Sequence, residues 1–171
     1  MTDYQTSSEE VTNTTFTAEP DGLTVEITRT FDAPRDRVFE TYTNPELVPD
    51  WWGSRHYSTT VDEMDVRQGG RWRFCIHDDG NVDAFHGIYH EVAPPERIVQ
   101  TFEYEGTPGI VQLETATFDE QDGGTRLTVQ SVAQSAENRD MMIESGMEDG
   151  SRETWGRFAD LLRAIEGEAS T

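Results

Sequence analysis

Along residues 23–31, LTVEITRTF, apolar side chains recur against polar neighbours at Leu23, Val25, Ile27 and Phe31. A two-residue period is that of a half-buried strand. The next segment, DAPRDRVFETYTN, changes period. Pro34 suits a first helical turn, Asp36 complements the positive helix end, and Val38, Phe39 and Tyr42 form a narrow apolar stripe. Asn44-Pro45 stops that helix, and ELVPDWW reads as a second short helical piece. Alternation then returns. YSTTVDEM, GGRWRFCI, VDAFHGIYHEV, RIVQTFEY, IVQLETATF and TRLTVQSV each read as a strand. In GGRWRFCI, Trp72, Phe74 and Ile76 share one face, and Arg71, Arg73 and Cys75 the other. HDDGN, APPE and EGTPG break the strands, and DEQDGG is a hairpin signal. Upstream, TTFTA reads as a short edge strand and EPDG as a turn.

The end of the chain is helical. NRDMMIES forms one short piece, and the capping-box spacing of Ser145 and Glu148 predicts a fresh helix from there. Met147, Trp155, Phe158, Leu161, Leu162 and Ile165 give this helix a core-facing stripe. Gly146, Gly150 and Gly156 weaken it, and the first two, four apart, leave one face bare for a close approach. A run of antiparallel strands with segregated helices is an α+β layout. The physical solution is a curved antiparallel sheet gripping the long C-terminal helix, with two short helices after the first strand closing one end. The expected division is a polar, flexible tail over 1–13, one domain over 14–166 and a C-terminal tail over 167–171.

Charge narrows the function classes. The formal net charge is −21, and all thirteen basic residues are arginine. Nucleic acid and anionic membrane surfaces are excluded as partners, because no basic stripe exists to meet their phosphates. Strong acidity without lysine points to a halophilic cytoplasm, where salt screens carboxylate repulsion. Cys75 is the single cysteine, so no internal disulfide forms. The first twenty residues have neither a basic start nor an apolar run, and no segment has the length and apolarity of a membrane span.

Few constellations carry chemistry. His86 and His90 have the spacing of a helical zinc pair, but on a strand they stand roughly 13 Å apart. They do not chelate one ion, and no metal or cofactor is expected. His86 shares its expected face with Ile88 and Val92, where it could orient a ligand or act as a base. DDGNVD lacks the run to a terminal glutamate of a calcium loop and reads as a hairpin turn. Trp51 and Trp52 are core plugs, a pocket wall or a partner patch. Neighbours in a helical turn point about 100° apart, so one ring is expected to anchor the short helix to the sheet (Trp51) and the other to face a cavity mouth (Trp52).

Taken in order and spacing, FDAPRDRVFETYTNPELVPDWWG, GGRWRF, GIYHEVAPPERIVQTFEY and GGTRLTV resemble the family of activator-of-heat-shock-protein-90-ATPase homologues. That family belongs to the START-like, polyketide cyclase-like (SRPBCC) superfamily. The resemblance runs from about Leu23 to about Leu162. It implies a helix-grip fold whose cavity, between sheet and long helix, takes lipids, sterols, polyketides and other apolar molecules. The cavity-lining candidates are Trp52, Trp72, Phe74, His86, Ile88, Phe102, Met142, Met147 and Trp155. Two departures matter. Where family members often carry Gly-Trp in the long helix, this chain has Gly150-Ser151. The chaperone activators also carry a separate N-terminal chaperone-binding domain, where this chain has a short polar stretch.

The expected function is binding of an apolar or aromatic small molecule by a monomer or homodimer. The rivals are a cyclase or hydrolase using His86 or Glu148 as acid or base, and a co-chaperone-like interaction protein. The charge makes one prediction. At about 1 M salt the Debye length is about 3 Å, so self-repulsion largely vanishes. The melting temperature should climb steeply between dilute buffer and molar KCl; an unchanged melting temperature would exclude a halophilic adaptation.

Overall fold

Strand pairing follows the alternation read from the sequence. The computed structural model describes residues 14–169. Eight strands form one antiparallel sheet: β1 (Thr14–Ala18), β2 (Thr24–Phe31), β3 (Ser58–Met64), β4 (Arg71–Asp78), β5 (Asn81–Ala93), β6 (Arg97–Tyr104), β7 (Val111–Gln121) and β8 (Gly124–Val132). Their order is β1-β2-β8-β7-β6-β5-β4-β3. Between β2 and β3, helices α1 (Arg35–Thr43) and α2 (Val48–Trp51) carry the chain to the far edge of the sheet. Helices α3 (Ala136–Glu144) and α4 (Met147–Ala169) end the fold. The sheet is curved, and the arrangement is an α+β helix-grip fold. The expectation for residues 1–13 lies outside the described residues. The helix α4 runs through 167–169, past the boundary drawn from the sequence.

One face of the sheet carries the core. Ile27, Phe31, Trp72, Phe74, Tyr89, Ile98, Phe118, Leu127 and Val129 pack there with Val38 and Phe39 of α1, Trp51 of α2, and Trp155, Phe158 and Leu162 of α4. A smaller cluster, Val25, Ala133 and Met142, joins β2 to α3.

Two expectations fail for local reasons. A bulge in β5, between Tyr89 and Glu91, shifts the register against β6. One extra residue reverses the inward–outward alternation. Phe85, Tyr89 and Val92 therefore contact the core, while His86 and Ile88 point to the outer face. At the α3–α4 junction the Ser145 hydroxyl donates back to the Met142 carbonyl (2.7 Å) instead of capping α4. Gly146, at φ 94°, makes the break that Ser145 was expected to make. Gly146 and Gly150 are exposed and nothing lies within 4 Å of where their Cβ atoms would be, so the bare face faces solvent.

Gly87 has the opposite situation. It lies opposite Trp72 on β4, at a gap in the β5–β6 ladder between the pairs His86–Glu103 and Tyr89–Gln100. There the Ile88 amide donates to Thr101 Oγ1 (2.9 Å), and the Trp72 indole N–H donates to the Thr101 carbonyl (3.2 Å). A Cβ at position 87 would sit 1.8 Å from the Thr101 oxygen and 2.5 Å from the Trp72 nitrogen. Only glycine lets the indole reach its acceptor. Gly87→Ala should destabilise the fold by about 1–3 kcal/mol or more, measured by urea unfolding. An unchanged midpoint would mean that Trp72 does not lie over Gly87.

Candidate functional site

The helix α2 has four residues, and Trp51 and Trp52 leave its end in different directions. The Trp51 ring stacks on Tyr42 (5.4 Å between centroids) and Trp155 (5.6 Å), and meets Phe158 edge-on (4.9 Å). Trp52 meets Phe74 and Phe85 edge-on, each at 5.2 Å. Trp51 thus anchors α2 to α1 and α4, not to the sheet as the sequence suggested, and it is Trp52 that rests on the sheet.

The divergence is held by a latch. A helix C-terminus leaves carbonyls without internal partners, and a cation there is favourable. The Arg157 guanidinium of α4 donates to the carbonyls of Pro49, Trp52, Gly53 and Ser54, the shortest at 2.8 Å to Gly53. Burial, with Arg55 nearby, pushes its pKa below the usual arginine value. Thr59 donates to the Trp52 carbonyl (2.6 Å), and Glu153 accepts from the Ser54 hydroxyl (3.1 Å) and the Arg55 amide (2.8 Å).

A second aromatic group lies on the inner face of the sheet beside Trp52. Trp72 approaches Phe74 (4.8 Å) and Phe102 (5.7 Å), and Phe102 approaches Phe85 (5.6 Å). Of the cavity candidates, Trp52, Trp72, Phe74 and Phe102 come together here. Trp155 belongs to the helix-side group, and Met142 and Met147 meet at the α3–α4 junction.

His86 and Ile88 are on the other side of the sheet. Ile88 is 40% exposed. His86 Nδ1 lies 2.9 Å from Glu105 and its Nε2 3.6 Å from Glu103. Arg73 makes two bonds to Glu105, at 2.8 and 3.0 Å, and one to Asp62 at 3.2 Å. The Arg73 guanidinium holds the Glu105 carboxyl down at about 2. This is an exposed ion-pair network. Glu148, the other candidate acid or base, pairs with Arg152 at 2.9 Å along α4. Among the described residues no group of three or more His, Cys, Asp and Glu side chains could hold a metal ion.

The sequence reading missed Glu114. In β7, Ala116 and Phe118 face the core, so Glu114 shares their side while Leu113 is 44% exposed. The signal was there in IVQLETATF: counted back from Phe118, the polar residues Gln112 and Glu114 fall on the inner face. The pairing aligns Tyr89 (β5), Gln100 (β6), Glu114 (β7) and Ser131 (β8) across four strands. Ser131, fully buried, donates to Glu114 Oε2 (3.0 Å). The Glu114 residue is partly buried, and desolvation by the protein packed around its carboxyl pushes its pKa up to about 7. Burial also raises the phenols of Tyr42 and Tyr89, and the nearby Glu114 adds to the rise at Tyr42.

The comparisons agree with the fold. Residues 32–163 match the family described as activator of Hsp90 ATPase homolog 1-like protein. The crystal structure of protein Ms6760 from Mycobacterium smegmatis is 29% identical, with a TM-score of 0.80, over 87% of this chain and 96% of that one. A solution structure from Arthrobacter aurescens is 23% identical, with a TM-score of 0.81, over 88% of this chain and 91% of that one. The crystal structure of CalU16 from Micromonospora echinospora is 23% identical, with a TM-score of 0.57, over 91% of this chain and 92% of that one. The latter two show a shared fold. Among curated proteins none matches.

The carboxyl of Glu114 makes stability depend on pH. Its folded pKa of about 7 lies above the ordinary 4.5. Between these values the folded chain keeps a proton that the unfolded chain releases, so stability falls as pH rises through this window. Glu114→Gln removes the effect and keeps an acceptor for Ser131. Relative to the unmodified chain, the variant should gain on the order of 1–3 kcal/mol between pH 4.5 and 7 and level off above. A difference independent of pH, by chemical denaturation, would mean that the carboxyl is solvated.

Proposed function

The chain belongs to the activator of Hsp90 ATPase homolog 1-like family, and on that premise we propose that it binds an apolar or aromatic small molecule between the inner face of the sheet and α4. The family's fold generally binds hydrophobic ligands. The observation that carries the reading is the state of three aromatic rings. Trp52, Phe85 and Phe102 border the core on its inner face and yet are only partly buried. Large rings that stop short of full burial, in mutual contact and backed by the buried Trp72 and Phe74, form a wall that an apolar molecule can complete. Met142 and Met147 supply adaptable surface at the α3–α4 junction.

Neither group offered by the sequence as acid or base reaches this wall, which favours a binder over an enzyme built on His86 or Glu148. No helix among the described residues is long and apolar enough to cross a membrane. The charge of −21 favours uncharged ligands over phosphate-rich partners and suits a cytoplasm of high ionic strength.

The adjacent tryptophans separate packing from binding. Trp51, 3% exposed among Tyr42, Trp155 and Phe158, should cost about 3–5 kcal/mol when replaced by alanine. Trp52→Ala should cost much less stability and weaken binding of N-phenyl-1-naphthylamine, followed by its fluorescence. If both variants unfold the protein equally, or Trp52→Ala leaves probe binding intact, the wall is not the binding surface.

A further inference from the structure

We propose that the outer face of the sheet pairs with the same face of a second copy of this chain, forming a weak two-fold dimer. On β6, β7 and β8 the buried Ile98, Ala116, Phe118, Leu127 and Val129 point inward, so the alternate positions face outward. The strand register sets these outward positions in rows. Thr101, Leu113 and Val132 form one row, and Val99, Thr115 and Gln130 the next. A third row holds Arg97 and two threonines. Ile88 of β5, exposed like Leu113, flanks the first row beside Thr101. Three rows of three thus carry no carboxylate, in a chain where 34 of 171 residues are acidic. The carboxylates lie elsewhere, where two copies repel each other and where a cationic partner would be drawn. Threonine and valine, stiff at χ1, also lose little side-chain freedom on contact.

The charges at the ends of this face select a second copy as its occupant. Arg97 and Glu103 both point outward from β6, and the level midway between them is that of Gln100 and Glu114. A two-fold axis between the sheets, perpendicular to the strands at that level, reverses the strand direction. Arg97 of each copy then faces Glu103 of the other, Leu113 meets Thr115, and Val99 meets Thr101, as an isologous interface requires. Within its own chain Arg97 lies 3.6 Å from Glu91, with half its side chain exposed. Glu103 accepts from the Gly109 amide (3.0 Å) and lies 3.6 Å from His86. The area sets the strength. The outer face is convex, because the inner face grips α4, so contact is confined to the central strands. Five strands about 4.8 Å apart and six residues of rise give a footprint of roughly 400 Å² per copy. A standard interface buries about 800 Å² per partner, so this dimer is weak and reversible. Each copy carries −21, and salt strengthens the pairing by screening that repulsion.

The test is sedimentation equilibrium of the full chain in about 1 M KCl, where remote charges are screened and partly buried contact pairs much less so. The unmodified chain should show a monomer–dimer equilibrium with a Kd of about 10–500 μM. Leu113→Lys, Arg97→Glu and Glu103→Arg should each weaken it about tenfold or more. The mixture of Arg97→Glu with Glu103→Arg discriminates further. Each variant alone sets like charges against each other, whereas the mixed pair has opposite charges at both contacts and should dimerise as the unmodified chain does. Thermal melting checks that each variant folds. If Glu103→Arg does not, the exposed Leu113→Lys and Arg97→Glu still decide. A chain that stays monomeric up to about 0.5 mM would overturn the dimer and leave the face to the chain's own residues 1–13 or to another protein. A dimer indifferent to Leu113→Lys would place the contact elsewhere. Loss in both charge variants without recovery in their mixture would overturn the two-fold pairing.

Discussion

Two indoles on consecutive residues have to go to two different layers of the protein. Trp51 closes the aromatic group that joins α1, α2 and α4, and Trp52 lies on Phe74 and Phe85 of the sheet. The backbone between them is therefore fixed from both sides. Arg157 holds it through four carbonyls, and Thr59 on β3 holds it through the Trp52 oxygen. The end of a four-residue helix, which has little stability of its own, is in this way built into the contact between sheet and long helix. The short helices close one end of the fold because of this junction, and the partly buried rings of the sheet stand beside it.

The charged surface and the interior follow opposite logics. Outside, arginines are shared among carboxylates in exposed networks such as Arg73 with Glu105 and Asp62. Such pairs are worth little individually and serve chiefly to moderate repulsion among a large acidic excess. Inside, Glu114 takes its hydrogen bond from Ser131, and desolvation pushes its pKa up to about 7. Buried ionisable groups of this kind cost stability, and strongly shifted pKa values cluster at functional sites.

Most of the fold was legible in the sequence, because alternation is a strong signal in strands with one buried face. Trp72, Phe74 and Ile76 against Arg71 and Arg73 is such a strand, and the two-residue turn at Asp79 and Gly80, both at positive φ, was signalled by HDDGN. The site was less legible. A bulge adds one residue without leaving a mark in composition, so His86 and Ile88 were assigned to the inner face that Val92 reaches only after the bulge. Glu114 was overlooked for the opposite reason. Its parity with Phe118 was readable, but a glutamate in an alternating strand is ordinarily assigned to solvent. Ser145 had capping-box spacing, and tertiary context gave its hydroxyl a nearer acceptor in Met142.

The partly buried rings beside Trp52 are the proposed binding surface. Indole N–H resonances offer the most direct view of it, because the four tryptophans meet different sets of rings. In a two-dimensional nitrogen–proton spectrum titrated with N-phenyl-1-naphthylamine, the Trp52 indole and the amides of Phe85 and Phe102 should shift most and saturate together. Shifts concentrated at His86, Ile88 and Leu113 on the outer face, or no saturable shift at any indole, would contradict the account.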